Sequence, residues 1–251
     1  VGRKGKHPFQ NWQKIAERLK KGAAFPRKRR HFPYLPLLCP YISSPEVGRG
    51  LVFERRMWYN KRTMKDIYIV LSQTRSIVSR LIRLATGDMY THVSIGFEDE
   101  PGTTYSFGRI FPHNPLWGGF VRESVTFGTM KRFRDADAAA IRIRIEDGAY
   151  ERMRRHIAAM YADRRRYGYN YIGLLIAKFG IAYRCENRYY CSEFLKELLE
   201  RFGVVPAGEL SEVVRPADFL NIRCGELIYR GSLYKFAAAQ RRRTFLPCGE
   251  E

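Results

Sequence analysis

The stretch Tyr189-Tyr190-Cys191-Ser192-Glu193-Phe194-Leu195 puts a cysteine at the head of a run with helical periodicity. From Phe194 the apolar residues recur at Leu195, Leu198, Leu199 and Phe202, and Gly203 supplies a cap. The spacing therefore predicts an amphipathic helix over 191–202. Such a helix must lay one face on a core, which fixes its first turn at the edge of that core. Unpaired N–H groups and the positive end of the dipole favour an anion in that turn, an environment suited to a thiolate nucleophile. Most buried cysteines are only small hydrophobes, so a chemical role needs a partner elsewhere in the chain.

At 251 residues, 45% of them apolar, the chain can bury one full core. Its longest apolar runs, 67–71 and 172–177, fall far short of the ~20 residues that cross a bilayer, so no transmembrane segment is expected. The basic N-terminus has no apolar stretch behind it, which predicts no signal peptide and a cytoplasmic location. The five cysteines (39, 185, 191, 224 and 248) include no C-x-x-C pair, so neither a disulfide framework, a metal site nor a cofactor is expected. Reduced thiols leave Cys191 free for chemistry.

The net charge of +20 is unevenly spread. Residues 1–63 hold 16 Lys or Arg against three acids, so +13 lies there and only +7 in the rest. This segment, with the cluster Arg27-Lys28-Arg29-Arg30 and prolines at 33, 36, 40 and 45, reads as a basic, proline-punctuated extension, disordered or outside the translated chain. A short helix over Asn11–Lys21 is its one regular feature. If it binds, its partner is an anionic surface or a nucleic acid.

The folded domain is expected over 64–236. Asp66 to Leu71 reads as a buried strand, Ser76 to Ala85 as a helix, and Thr91 to Phe97 as an alternating strand with Val93, Ile95 and Phe97 on one side and His92, Ser94 and Gly96 on the other. A loop over Glu98–Gly102 leads to a return strand, Thr103 to Phe107. Pro112, Pro115, Gly118 and Gly119 predict a long irregular loop carrying Phe111, His113, Asn114, Trp117 and Phe120. Ala140 to Ile145 reads as a half-exposed strand, Ala149 to Arg164 as a helix, and Ile172 to Phe179 as a further apolar segment. Glu226 to Phe236 predicts one or two last strands, and 237–251 a loose tail.

A nucleophilic thiol needs a base within hydrogen-bond reach, and His92 is the histidine placed on the polar side of a strand. A third polar group must orient its imidazole. If Thr103 to Phe107 pairs with the His92 strand, Ser106 is best placed, with Tyr105 and Glu98 as alternatives.

The ordered set Asp66-Ile67-Tyr68-Ile69, Ala85-Thr86-Gly87, Tyr90 to Ile95, Tyr169-Asn170 and Tyr190 to Phe194 resembles the circularly permuted branch of the NlpC/P60 papain-like superfamily, the YiiX/YycO-like proteins. In that branch the histidine strand precedes the cysteine helix, as it does here. The resemblance spans about residues 65–235. It implies an α+β, papain-like fold with the cysteine helix packed on a small antiparallel sheet or barrel. It also implies Cys191 as nucleophile, His92 as general base and acid, and an oxyanion held by the Cys191 N–H with Gln73 or Tyr190. The permuted relatives often carry a glutamate on the strand after the histidine, where this chain is read as having Ser106.

The function expected is a thiol hydrolase acting on a small amide or peptide. One alternative is an acyltransferase or lipid hydrolase like the lecithin:retinol acyltransferase group. The other is a non-catalytic module that binds anionic partners through the basic arm.

Overall fold

The computed structural model describes residues 63–73, 88–111, 117–126, 131 and 135–245. The expected extension over 1–63 lies almost wholly outside these residues, as does the helix expected over 76–85. Strands β1 (Met64–Ser72), β2 (His92–Phe97), β3 (Thr103–Arg109), β4 (Gly118–Ser124) and β5 (Asp137–Glu146) come first. Helix α1 (Asp147–Ala162), strand β6 (Gly168–Tyr169), helix α2 (Tyr171–Ala177) and strand β7 (Arg188–Tyr189) follow. Helix α3 (Cys191–Arg201), strand β8 (Glu226–Ser232) and helix α4 (Leu233–Phe245) complete the order.

The architecture is α+β. Among the described residues the strands form one eight-stranded sheet in the order β7-β6-β4-β3-β2-β1-β5-β8. All pairings are antiparallel except β6 with β7. No helix of the described residues is long and apolar enough to cross a membrane.

Helices cover both faces, and this explains the composition of the central strands. On one face Ile67, Ile69, Leu71, Val93, Ile95 and Phe97 pack with α1 and α3 in the main core. On the other, Tyr68, Val70, Ala138 and Ala140 meet Leu233, Phe236 and Ala237 of α4. A strand buried on both sides reads as a continuous apolar run, which is what 67–71 is. For the same reason all six residues of β2 are buried, so the side expected to be polar is not solvated.

Helix α3 follows its predicted span within one residue. Phe194, Leu195, Leu198 and Leu199 are buried, Phe202 caps the helix, and Gly203 takes the positive φ that ends it.

Two expectations are corrected. Gly118 and Gly119 do not belong to an irregular loop but open β4, and Phe120 is buried beside Phe107 and Phe194. The glycines serve close approach: a Cβ on Gly118 would stand 2.8 Å from the Tyr169 Cβ, and one on Gly119 2.6 Å from the Tyr167 carbonyl oxygen. The tail expected from 237 is instead helical as far as 245. Leu233, Phe236 and Ala237 fall at helical spacing on the second face of the sheet, and a helix needs only that one apolar stripe to be held.

Leu195 is fully buried between α3 and the sheet. Leu195→Ala should cost about 2–5 kcal/mol of unfolding free energy in urea titration. A loss under about 1 kcal/mol would mean that α3 is not seated on the core as described.

Candidate active site

Cys191 is the first residue of α3 and His92 the first of β2. The sheet supplies the floor. β2 lies between β1 and β3, with Ser72 opposite His92 in the register with β1. The Cys191 side chain neighbours the His92 imidazole and raises its pKa. The two groups first paired by residue type alone are thus adjacent in space, and both are buried.

The other side of the imidazole is held by Glu123. Its Oε2 is 2.9 Å from His92 Nε2, and both side chains are almost wholly enclosed.

Glu123 belongs to β4, and β3 runs between it and His92. The contact passes beside Gly108, where a Cβ would stand 3.2 Å from Glu123 Oε1 and 3.7 Å from His92 Cε1. A side chain at 108 would press on the carboxylate, so the absence of one leaves room for the pair.

Ser106 does not orient the imidazole. It is fully buried, and its hydroxyl donates to the Val93 carbonyl at 2.7 Å, inside the sheet. Tyr105 gives its hydroxyl to Glu100 at 2.7 Å, and Glu98 accepts from the Asp66 backbone N–H at 2.8 Å, so neither alternative serves.

The glutamate was missed because β4 was missed. Gly119, Val121 and Glu123 alternate with Phe120 and Arg122, a period-two pattern that could have revealed it, but the flanking prolines and glycines argued for a loop.

The first turn of α3 is braced from outside. Glu193 Oε2 accepts from the Tyr190 backbone N–H at 3.3 Å and from Asn170 Nδ2 at 3.2 Å. Asn170 also donates to the Tyr183 carbonyl at 2.8 Å and caps α2 by accepting from the Gly173 N–H at 2.8 Å. Burial raises the Glu193 pKa, while the hydrogen bonds from Asn170 and Tyr190 pull it back. Gly173 packs so tightly against Asn170 that no Cβ would fit. This is the physical content of the Tyr169-Asn170 pair: one buried amide ties two helix starts together.

The two expected oxyanion residues fall differently. Tyr190 precedes α3 and is buried, and it lines a small cavity with Arg184, Glu193 and Lys196. Burial and the neighbouring Glu193 raise its hydroxyl pKa. Gln73 follows β1, half buried, with its backbone N–H on the Asp137 carbonyl at 2.9 Å. Its amide is not among the hydrogen-bond partners of His92.

Tyr169 is a further polar group at this end of α3. Burial comes first and the charge of Cys191 second in holding its hydroxyl pKa well above the ordinary tyrosine value. It therefore stays a neutral donor within electrostatic reach of the thiol. The Ser72 hydroxyl, across the register from His92, is buried and has no hydrogen-bond partner among the described residues.

No protein-family model matches the chain, and no curated protein matches it. No group of three or more His, Cys, Asp or Glu side chains that could hold a metal ion occurs among the described residues.

Electrostatics decides the state of the imidazole. Burial, the largest influence, opposes its charge. The Glu123 carboxylate and the hydrogen bonds the ring donates to Cys191 and Glu123 together outweigh it, so the His92 pKa lies well above 6.5. A group whose pKa is raised on folding stabilises fully below its unfolded value, about 6.5, and loses that contribution as pH rises through the folded value. Wild-type stability should therefore fall on the alkaline side of neutrality, and His92→Gln should lack that decline. The His92 ring resonances in NMR should titrate well above pH 6.5, and below the wild-type midpoint in Glu123→Gln, where burial is less opposed. A wild-type midpoint at or under 6.5 would refute the assignment.

Proposed function

We propose that the protein is a thiol hydrolase of the papain-like kind, resembling the permuted NlpC/P60 branch, with Cys191 as nucleophile, His92 as base and acid, and Glu123 as the orienting carboxylate. One observation carries this reading: a single buried imidazole meets a helix-start cysteine on one side and a carboxylate on the other. That is the relation of nucleophile, base and orienter that acyl transfer requires, recognised by geometry rather than by sequence position.

The chemistry follows from the charges. The imidazole, held by Glu123, takes the thiol proton as the sulfur becomes the nucleophile. The sulfur attacks a carbonyl carbon, and the carbonyl π pair moves onto oxygen. The Cys191 N–H, in a first turn where amides have no intrahelical acceptor, is one donor to that oxyanion. Tyr169, a neutral hydroxyl near the thiol, is the second donor we favour over Gln73 and Tyr190. Collapse of the intermediate breaks the C–N bond, and the imidazolium gives its proton to the departing amine. Water then attacks the thioester while the imidazole takes its proton. The acid leaves, and the thiol is restored.

Replacing Ser106 by Glu123 as third member also strengthens the resemblance. Serine can aim an imidazole but cannot stabilise its charge, whereas a carboxylate does both.

A second reading keeps the same residues and passes the acyl group to an alcohol or amine instead of water. It is favoured by the exposed apolar residues Ile172 and Leu175 of α2, the helix whose cap, Asn170, also holds the first turn of α3.

The test uses p-nitrophenyl acetate, whose leaving group is visible. Wild type should release a burst of nitrophenol equal to the enzyme present and carry acetate on Cys191 by mass spectrometry. Cys191→Ala should show neither, and His92→Gln should acylate about 100-fold more slowly or worse. A burst retained in Cys191→Ala would discard the proposal. Adding a long-chain alcohol or amine separates the two readings by whether ester or amide product replaces free acid.

Tyr169→Phe isolates the oxyanion role. Acylation should slow by about 10- to 1,000-fold, while alkylation of Cys191 by iodoacetamide, which forms no oxyanion, keeps its rate. Equal slowing of both reactions would make Tyr169 a structural residue only.

A further inference from the structure

Helix α2 reads Tyr-Ile-Gly-Leu-Leu-Ile-Ala, apolar on every side, yet Gly173 is its single buried residue. Ile172 is 61% exposed and Leu175 64%. Helices that are apolar all round normally lie inside a protein or a membrane. The last pairs of the β3–β4 hairpin before its loop stand beside it, where Ile110, Phe111 and Trp117 are exposed as well, Trp117 to 62%. The two meet at Tyr171, whose hydroxyl lies 2.8 Å from where a Cβ on Gly118 would stand. Exposed apolar side chains thus stand on both of two elements that touch.

The chain on either side of α2 is basic. Residues 164–190 hold six Lys or Arg (Arg164, Arg165, Arg166, Lys178, Arg184 and Arg188) and one acid, Glu186. All six cations are exposed, and Arg184 is paired with Glu212 at 3.2 Å. Arg109 acts on the Tyr171 hydroxyl from the hairpin side, lowering a pKa that burial raises.

We propose that α2 and the hairpin end dock the protein on an anionic lipid bilayer, with α2 lying in the plane of the interface. Three observations choose this occupant. Ile172 and Leu175 are turned to solvent rather than enclosed, which suits insertion into a surface that closes around them. Seven residues rise only about 10 Å, too short to span but enough to lie among headgroups. Exposed aromatic residues with cations around them match the interface of a membrane whose lipids are acidic.

The docking surface stands independently of the thiol chemistry. Its position bears on that chemistry, because Asn170 joins the start of α2 to the first turn of α3. Docking would bring the Cys191 end of the molecule toward the bilayer.

The test uses full-length protein and vesicles of phosphatidylcholine with or without about one third phosphatidylserine, followed by flotation. Wild type and Cys191→Ala should float with the anionic vesicles alike. Ile172→Asp/Leu175→Asp, which alters only exposed positions, should weaken partitioning at least tenfold with an unchanged circular dichroism melt. The basic N-terminal segment could bind by charge alone, so a second readout is needed. With Trp12→Phe and Trp58→Phe, Trp117 is the one tryptophan of the three that remains. Its emission should shift to the blue on anionic vesicles and be quenched by brominated acyl chains. Absence of flotation, flotation without quenching, or a concentration-dependent dimer in place of lipid binding would each overturn the proposal. Loss of the nitrophenol burst with flotation intact would leave docking standing and remove only the catalytic reading.

Discussion

The contact between His92 and Glu123 is the interaction on which the site depends. Left to burial alone, the imidazole would be neutral and a poor stabiliser of a neighbouring thiolate. The carboxylate at 2.9 Å reverses that preference. Such a pair is a weak contributor to stability. Taking two charges out of water costs several kcal/mol per ion, and apolar replacements of similar volume are often neutral or stabilising. Removing one partner is worse, about 3–5 kcal/mol, because the other remains buried and uncompensated. An enclosed His–Glu pair against a thiol is therefore poorly explained as a device for stability. It is well explained as one for holding charge where an acyl transfer would use it.

The sheet makes the contact possible by leaving something out. His92 and Glu123 come from strands separated by β3, and a side chain on Gly108 would press on the carboxylate between them. The thiol arrives from another direction, on a helix whose apolar face is locked by Phe194, Leu195, Leu198 and Leu199. Its first turn is held again by the Asn170 and Glu193 hydrogen bonds. Each reactive side chain thus sits on a rigid element, and its geometry follows from packing rather than from a loop. Preorganisation of this kind lets modest charges act without rearrangement when an oxyanion forms.

What was readable from sequence followed from periodicity. Helix α3, strand β1 and the alternation of β2 each repeat often enough to declare themselves, and the pairing of Cys191 with His92 needed only residue types and chain order. Glu123 was hidden because its strand begins Gly-Gly, a pair that normally signals a loop. The glycines are there for close approach to Tyr167 and Tyr169, a tertiary requirement with no local signature. Ser106 was then the nearest polar residue on the only neighbouring strand in view, although its hydroxyl is used up within the sheet. The C-terminal helix was hidden for the opposite reason. Its arginines suggest a solvated tail, and its short apolar stripe acquires meaning only from a second sheet face that needs covering. That need arises from topology. β1 and β5 are interior strands, and Tyr68, Val70, Ala138 and Ala140 on their second face need a cover.

Two features of the chain run against what stability alone would select, and they share one support. The charged pair beside Cys191 carries a desolvation cost, and α2 leaves Ile172 and Leu175 in water at about 25 cal/mol for each Å² of apolar surface exposed. Consistent sequences break local rules mainly where function demands it. Had the two violations been at opposite ends of the molecule, they would call for separate explanations. Instead, Asn170 caps the exposed helix with its oxygen and holds the first turn of the cysteine helix, through Glu193, with its nitrogen. A shift of α2 on a surface would be transmitted to the turn that carries the thiol. The exposed apolar helix and the turn that carries the thiol are therefore one connected unit, joined through a single buried amide.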